Sequence, residues 1–162
     1  MYIEKFDLLR GLERGFVKEF IAIGTKEPHE EGDLLFRRGD EADHLYILIK
    51  GRVKLTIGDT GHVVHVVDHT GDAFGWSSLV DRSVYSASAE CRAPTRVLRF
   101  EKLTLQQVLE KYPASGLMFY KRLAGVLGKR LLRTYEMVAS GFQAGDSLSF
   151  GSGQVLEAQE GK

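Results

Sequence analysis

The sequence lacks several features that would each point to a class of protein. It has one cysteine, Cys91, which excludes an internal disulfide framework and a cysteine-rich zinc site. Its 22 basic and 22 acidic residues balance to a net charge of zero. The chain therefore lacks the basic excess typical of proteins that neutralise nucleic-acid phosphates. We expect no direct binding to DNA.

Long apolar runs are also missing. Residues 1–12 mix charged and apolar side chains, unlike the apolar core of a signal peptide, and no other stretch approaches the length of a membrane span. With 43% hydrophobic and 27% charged residues in 162 positions, the composition is that of one globular domain. We predict a cytoplasmic protein that makes no contact with a membrane.

The middle of the chain, residues 25–100, has the period of β-strands. Short runs rich in β-branched residues alternate with glycine-containing turns, at the spacing of an antiparallel sandwich or barrel. Within Val53–Ile57, apolar side chains alternate with Lys54 and Thr56, as one buried and one solvated face require. We predict a mainly β fold with flanking helices: a jelly-roll β-roll, also called a double-stranded β-helix.

The regions on either side of the roll have helical spacing. Residues 1–24 predict two short helices that form a lid. Residues 101–139 predict a short helix, then a long one that Pro113 separates from it. Residues 141–162 are rich in Gly, Ser and Gln and predict a flexible tail.

The long helix is predicted to run from Ala114 to Ala139, which at 1.5 Å per residue is about 39 Å. Its apolar residues cover a band wider than one stripe, so two surfaces should pack against it. We predict that one surface is the roll and the other a second copy of the chain. The protein should therefore be a homodimer.

One segment, residues 71–89, carries most of the candidate chemistry, and we call it the cassette. It contains glycines, several hydroxyl side chains and Arg82. A glycine followed by one helical turn can aim several N–H groups at a single point, which suits a phosphate or carboxylate. Arg82 would supply the counter-charge. The alternatives are an ordinary turn capped by Ser77 and a solvated arginine.

The order of these features resembles the cyclic-nucleotide-binding-domain family, and within it the sensors similar to the catabolite activator protein. The matching features lie between Phe6 and Val138. They are the pairs Gly32-Asp33 and Gly39-Asp40, the runs Leu45-Tyr46-Ile47-Leu48 and Lys50-Gly51-Arg52-Val53, Gly71-Asp72-Ala73-Phe74-Gly75, and a closing Arg-Leu-Leu-Arg-Thr helix. The resemblance implies a β-roll, a phosphate-binding cassette and a long helix that pairs two subunits. It also implies cyclic AMP or cyclic GMP as ligand.

The cassette departs from the family at both of its anchors. Trp76 stands where the family has a glutamate for the ribose, and Tyr85 stands where it has an arginine for the phosphate. Ser86 matches a small residue of the family, and Thr134, beside Tyr135, matches a threonine that contacts adenine. Other interpretations are that Trp76 fills the pocket, and that Thr134 and Tyr135 belong to a dimer seam.

The predicted ligand-binding residues combine the cassette with the long helix. They are Phe74, Gly75, Trp76, Ser77, Ser78, Arg82, Tyr85, Ser86, Thr134 and Tyr135.

We predict no metal site and no enzymatic activity. His62 and His65 are three apart on a predicted strand and point to opposite faces, while His69 follows in a turn. A paired acid and base or a metal triad is not recognisable.

The sequence therefore predicts a regulatory protein that binds a small anionic ligand in the roll and signals through its long helix. The alternatives are a protein-interaction module without nucleotide binding, with a partner that the sequence does not identify, and the sensor half of a transcription regulator.

Overall fold

The computed structural model describes residues 6–58 and 61–141, and the backbone of residues 147–150 and 154–157. It divides into two units, Met1–Tyr120 and Lys121–Lys162. Each unit is described by itself below.

The first unit is a β-roll with helices at both ends of its chain. Its elements in order are α1 (Arg14–Ile23), β1 (Thr25–His29), β2 (Leu34–Phe36), β3 (His44–Lys50), β4 (Val53–Ile57), β5 (His62–Val67), β6 (Ala73–Phe74), a 3-10 helix (Trp76–Leu79), β7 (Ser88–Cys91), β8 (Thr95–Glu101), α2 (Lys102–Lys111) and the beginning of α3 (Pro113–Gly141).

Two four-stranded antiparallel sheets form the roll. The strand order is β1-β8-β3-β6 in one sheet and β2-β7-β4-β5 in the other. The predicted jelly-roll fold with flanking helices is confirmed. Val53 and Leu55 of β4 are buried, while Lys54 pairs with Glu90 of β7 at 3.2 Å. The alternation in the sequence therefore separates the core face of β4 from its outer face.

The hydrophobic core of the roll is rich in aromatic and branched side chains. Its buried members are Phe36, Ala42, Tyr46, Leu48, Val53, Leu55, Val67, Phe74, Tyr85, Ala89, Cys91 and Val97. Two of the predicted site residues, Phe74 and Tyr85, are thus part of the core itself.

Four strands of the roll carry too little pattern to be predicted. The strands β2, β6 and β7 are four residues or shorter. The strand β1 contains Pro28, which cannot donate a backbone hydrogen bond. Pro28 is tolerated because β1 lies at the edge of its sheet and pairs only with β8.

The N-terminal region has one helix within the described residues, where two were predicted. Residues 6–12 form successive turns, held by hydrogen bonds such as that from Leu9 N to Phe6 O at 2.8 Å. Gly11 has a φ of 70°, a left-handed conformation that interrupts an α-helix. The prediction of a first helix is wrong for these residues. In α1, Phe16 and Phe20 are fully buried, and Phe20 packs on Phe100 with ring centroids 4.6 Å apart.

The helices that follow the roll match the prediction closely. Glu101 caps α2 by accepting hydrogen bonds from the amides of Leu103 and Thr104. Pro113 begins α3, where a missing N–H costs no intrahelical bond. The 29 residues of α3 give a helix about 43 Å long, slightly longer than predicted. Among the described residues, no helix combines the length and apolarity needed to cross a bilayer.

The second unit contains the rest of α3 and a β-hairpin. Strands β9 (Ser147–Phe150) and β10 (Gln154–Glu157) pair antiparallel. The segment predicted as a flexible tail, residues 141–162, thus contains two paired strands, and its flexibility stays a prediction. The sequence alternates polar and apolar residues over β9, and Gly151-Ser152-Gly153 separates the two strands, a pattern typical of a hairpin. For residues 142–146, 151–153 and 158–162, the tail prediction lies outside the described residues.

Candidate functional site

The cassette contains a glycine, Gly75, that no other residue could replace without strain. Gly75 follows β6, has a φ of 73°, and precedes the 3-10 helix Trp76–Leu79. A Cβ at this position would lie 3.0 Å from the carbonyl oxygen of His44 and 3.1 Å from the ring of Tyr46. Left-handed conformation and close approach therefore both require glycine here.

Two serines follow Gly75, and both are buried. The hydroxyl of Ser78 donates to the carbonyl oxygen of Gly75 at 2.9 Å. No side chain caps the 3-10 helix, so Ser77 does not have the capping role considered for it. Ser77 instead lines a small cavity.

The ring of Tyr85 lies beside this turn, 3.4 Å from the position a Cβ on Gly75 would take, and is buried in the core. Its side chain is 3% exposed, and its ring stacks on Phe36 with centroids 3.8 Å apart and an interplanar angle of 16°. The Tyr85 hydroxyl donates to the carbonyl oxygen of His44 at 2.7 Å and accepts from the His44 amide at 3.0 Å. Burial raises the pKa of Tyr85 well above its ordinary value, so its phenol stays neutral.

The space that remains at the cassette is a cavity of about 30 Å³. It is lined by Phe36, Leu55, Gly75, Trp76, Ser77, Tyr85, Ser86 and Ala87. Pockets that bind small molecules usually measure about 300–1,000 Å³. The structure thus brings five predicted residues together, but around a space for no more than a water molecule or two.

Three predicted residues of the first unit do not line this cavity. Phe74 is fully buried and stacks on Tyr46 with centroids 5.3 Å apart, so it serves the core. Ser78 is turned towards Gly75. Arg82 is exposed and is absent from the cavity lining; its backbone amide donates to Val80 O at 2.6 Å.

The two predicted residues of α3 belong to the second unit. Thr134 is exposed, and its hydroxyl donates to the carbonyl oxygen of Arg130, one turn earlier, at 3.0 Å. Tyr135 is half-buried. Their contact with a ligand stays a prediction.

Sequence reasoning missed three residues of the cavity wall and the residue that anchors Tyr85. Phe36, Leu55 and Ala87 line the cavity, but apolar residues of the inner sheet faces resemble any other core residues. His44 anchors Tyr85 through its backbone, across 41 positions of sequence. A backbone contact of this kind leaves no mark on residue type, so no signal could have revealed it.

One surface turn brings together three residues, Asp68, His69 and Asp72, whose side chains could bind a metal. Nδ1 of His69 lies 2.8 Å from a carboxylate oxygen of Asp68 and 3.8 Å from one of Asp72. The His69 side chain is 84% exposed, and an exposed turn with mixed charges has the same contacts without a metal. This arrangement does not by itself identify a metal site, and the absence of one stays a prediction.

The comparison with known families decides the identity of this roll. The family described as "Cyclic nucleotide-binding domain" matches residues 26–112, more than half of the chain. The chain belongs to this family. The resemblance read from the sequence is confirmed.

Relatives of this chain include much longer proteins. The human cyclic nucleotide-gated channel beta-3 is 28% identical over 137 residues, which cover 83% of this chain but 17% of the channel. The chain therefore spans about a sixth of the length of this relative. What the channel does as a whole does not carry over to the chain.

Two solved structures illustrate the shared fold. A domain from Methylobacillus flagellatus KT superposes with a TM-score of 0.75 and 21% identity, covering 88% of this chain and 81% of that one. The N-terminal domain of a transcriptional regulator from Streptomyces coelicolor A3(2) has a TM-score of 0.64 and 25% identity, covering 78% and 92%.

Proposed function

We propose that this chain is a non-catalytic regulatory domain in which Tyr85 takes the place of a cyclic nucleotide. In this proposal the cassette is closed at neutral pH, and the domain acts through protein contacts, including a second copy of itself along α3. The observation that carries the proposal is the position of the Tyr85 side chain, buried where the family resemblance expects a phosphate-binding arginine.

The energetics favour a closed cassette. To seat a phosphate, Tyr85 would have to give up two hydrogen bonds and its stacking on Phe36. The cavity wall supplies no cation in exchange, since its lining contains no lysine, arginine or histidine. A buried phosphate without a charged partner costs several kcal/mol. Losing an arginine–phosphate pair removes about 2–5 kcal/mol, or roughly 30- to several-thousand-fold in affinity.

The polar groups at the cavity also support a role without catalysis. Besides Tyr85, the wall offers hydroxyls of Ser77 and Ser86 and the indole of Trp76. None of these is a base that would abstract a proton near neutral pH, and no general base lines this cavity. A cytoplasmic location and a dimer through α3 belong to the same proposal.

The proposal is tested by restoring both anchors. The double variant Trp76→Glu/Tyr85→Arg is expected to bind cyclic AMP or cyclic GMP at least about 30-fold more tightly than the unmutated chain, measured by calorimetry. Tyr120→Phe, which changes a tyrosine outside the cavity, is the control and should leave binding unchanged. Tight binding by the unmutated chain would overturn the proposal, as would a folded double variant without improved binding.

A second candidate function is the binding of a small anion outside the closed cavity. Arg82 favours it, because this exposed cassette arginine has no ion pair with any residue in the described part of the chain. Binding of inorganic phosphate or a cyclic nucleotide that Arg82→Ala abolishes, while Lys54→Ala preserves it, would support this candidate. Equal binding by both variants would exclude it.

A further inference from the structure

A series of polar contacts links the edge of one sheet to Tyr85. Nε of Arg99 in β8 donates to a carboxylate oxygen of Glu27 in β1 at 2.7 Å. Nη1 of the same guanidinium lies 2.8 Å from Nε2 of His44 in β3. The backbone of His44 then holds the Tyr85 hydroxyl from both sides. His44 therefore joins a charged group to the side chain that closes the cavity.

The contact with Arg99 selects one protonation state of His44. A guanidinium carries only donors and stays charged, so Nε2 of His44 can only accept in this contact, and the imidazole is neutral. A proton on Nε2 would remove the acceptor and place two cations 2.8 Å apart. Burial, and then the charge of Arg99, lower the pKa of His44 below its ordinary 6.5.

Three carboxylates around His44 act in the opposite direction. Asp43 precedes it in the chain, Glu101 is its partner on β8, and Glu27 lies beyond Arg99. Each of them raises the pKa of His44, but the net direction stays downward. Of these three, the Glu27 carboxylate also binds Arg99, and the Glu101 carboxylate caps α2.

Two tyrosines are also titratable neighbours of His44. Its ring lies 6.2 Å from that of Tyr46, and its backbone binds Tyr85. Burial raises the pKa of both phenols above 10, so neither changes charge near neutral pH. His44 is thus the group of this cluster that titrates next to Tyr85.

We propose that His44 is a positioning residue for Tyr85, and that protonation of the His44 imidazole loosens Tyr85 from the cavity. This inference rests on the proposed function, since it takes Tyr85 as the side chain that closes the cassette. One proton moves from solvent to Nε2, the contact with Arg99 breaks, and Arg99 keeps its bond to Glu27. The imidazole must then turn away from the guanidinium. The imidazole that turns belongs to the residue whose backbone amide and carbonyl hold the Tyr85 hydroxyl.

Nuclear magnetic resonance on the full chain with ¹³C-labelled tyrosine and histidine tests this inference. Between about pH 8 and about pH 5, the Tyr85 ring signals, assigned with Tyr85→Phe, should change with a midpoint below 6.5. The His44 imidazole signals should show the same midpoint. Tyr85 signals that stay constant while His44 titrates would overturn the inference.

Three variants distinguish the positioning of Tyr85 by His44 from a general effect of acid on the protein. His44→Gln cannot take up a proton and should abolish the pH response of Tyr85. His29→Gln, which alters a histidine near Glu27 on the far side of Arg99, should preserve it. Arg99→Gln removes the nearby charge and should move the midpoints of His44 and Tyr85 upwards together. A Tyr85 response that persists in His44→Gln, or that separates from the His44 midpoint in Arg99→Gln, would contradict the inference.

The outcomes for the two proposals remain distinct. Tight binding of cyclic AMP at about pH 7.5, where His44 is neutral, would overturn the proposed function. No binding at that pH, together with Tyr85 signals that ignore acid, would overturn only the role of His44. Circular dichroism checks that each variant is folded. If His44→Gln is not folded, the comparison of the Tyr85 and His44 midpoints in the unmutated chain decides the question.

Discussion

Removing the Tyr85 hydroxyl, a single oxygen atom, should destabilise the protein because two hydrogen bonds are lost with it. In Tyr85→Phe the ring can keep its stacking on Phe36, but two polar groups of His44 lose their partner. These are the His44 amide, 3.0 Å from the hydroxyl, and the His44 carbonyl oxygen, 2.7 Å from it.

The magnitude follows from the loss of both bonds. A net contribution of about 0.5–1.5 kcal/mol for each hydrogen bond gives a loss of about 1–3 kcal/mol in the free energy of unfolding. The upper part of this range applies if the His44 groups stay out of reach of water, because a buried polar group without a partner costs more than the bond itself contributes.

Urea denaturation followed by circular dichroism measures this loss. The matched control is Tyr120→Phe, because the Tyr120 hydroxyl lies 3.5 Å from its acceptor, Leu79 O, at the limit of a hydrogen bond. The control should lose less than about 0.5 kcal/mol. Equal stability of Tyr85→Phe and the unmutated chain would refute the claim that this hydroxyl anchors the closed cassette.

Three further predictions concern a turn, a cap and the long helix. A Cβ on Gly51, at a φ of 107°, would lie 2.5 Å from a side-chain oxygen and 2.7 Å from a carbonyl oxygen, so Gly51→Ala should cost more than about 3 kcal/mol in thermal or urea unfolding. Gly58 has a φ of 81° but open space around its Cβ position, so Gly58→Ala should cost about 1–2 kcal/mol. Equal losses of stability in Gly51→Ala and Gly58→Ala would contradict the role of the close contacts at Gly51. Hydrogen bonds, first from the Thr104 side chain, lower the pKa of Glu101; stability from this cap is therefore full above pH 4.5 and is lost as the pH falls through the lower folded-state pKa. Glu101→Gln should remove the part of the acid dependence of stability that comes from this cap. An unchanged profile of stability against pH would exclude this role of Glu101. Leu131→Glu places a charge on an exposed apolar position of α3 and should convert a dimer into a monomer in light scattering, whereas a monomeric unmutated chain would exclude the dimer.

Sequence reasoning predicted the strands and helices that have a sustained period. The strands β3, β4, β5 and β8 lie within a residue of the runs rich in β-branched residues at 45–49, 53–57, 62–67 and 96–100, because those residues and the flanking glycine turns define them. The start of α3 follows from Pro113. Short strands such as β6 have no period to detect, and their pairing with β3 depends on tertiary contacts.

Sequence reasoning named five of the eight residues that line the cavity, but it did not predict how small the cavity is. The glycine-led turn and the departures at Trp76 and Tyr85 were visible in the sequence, and the cavity joins both residues. Closure of the cavity was not predictable, because it depends on where the Tyr85 ring points and on backbone groups of His44. The expected role of Arg82 also depends on loop geometry, and the loop leaves its side chain exposed.

The central claim is that Tyr85 closes the cassette against cyclic nucleotides. Calorimetric titration of cyclic AMP and cyclic GMP into the unmutated protein, near neutral pH and at physiological salt, tests it most directly. The account predicts no saturable binding up to about millimolar nucleotide, which corresponds to a binding free energy weaker than about −4 kcal/mol. Saturable binding with a dissociation constant below about 1 μM would contradict it.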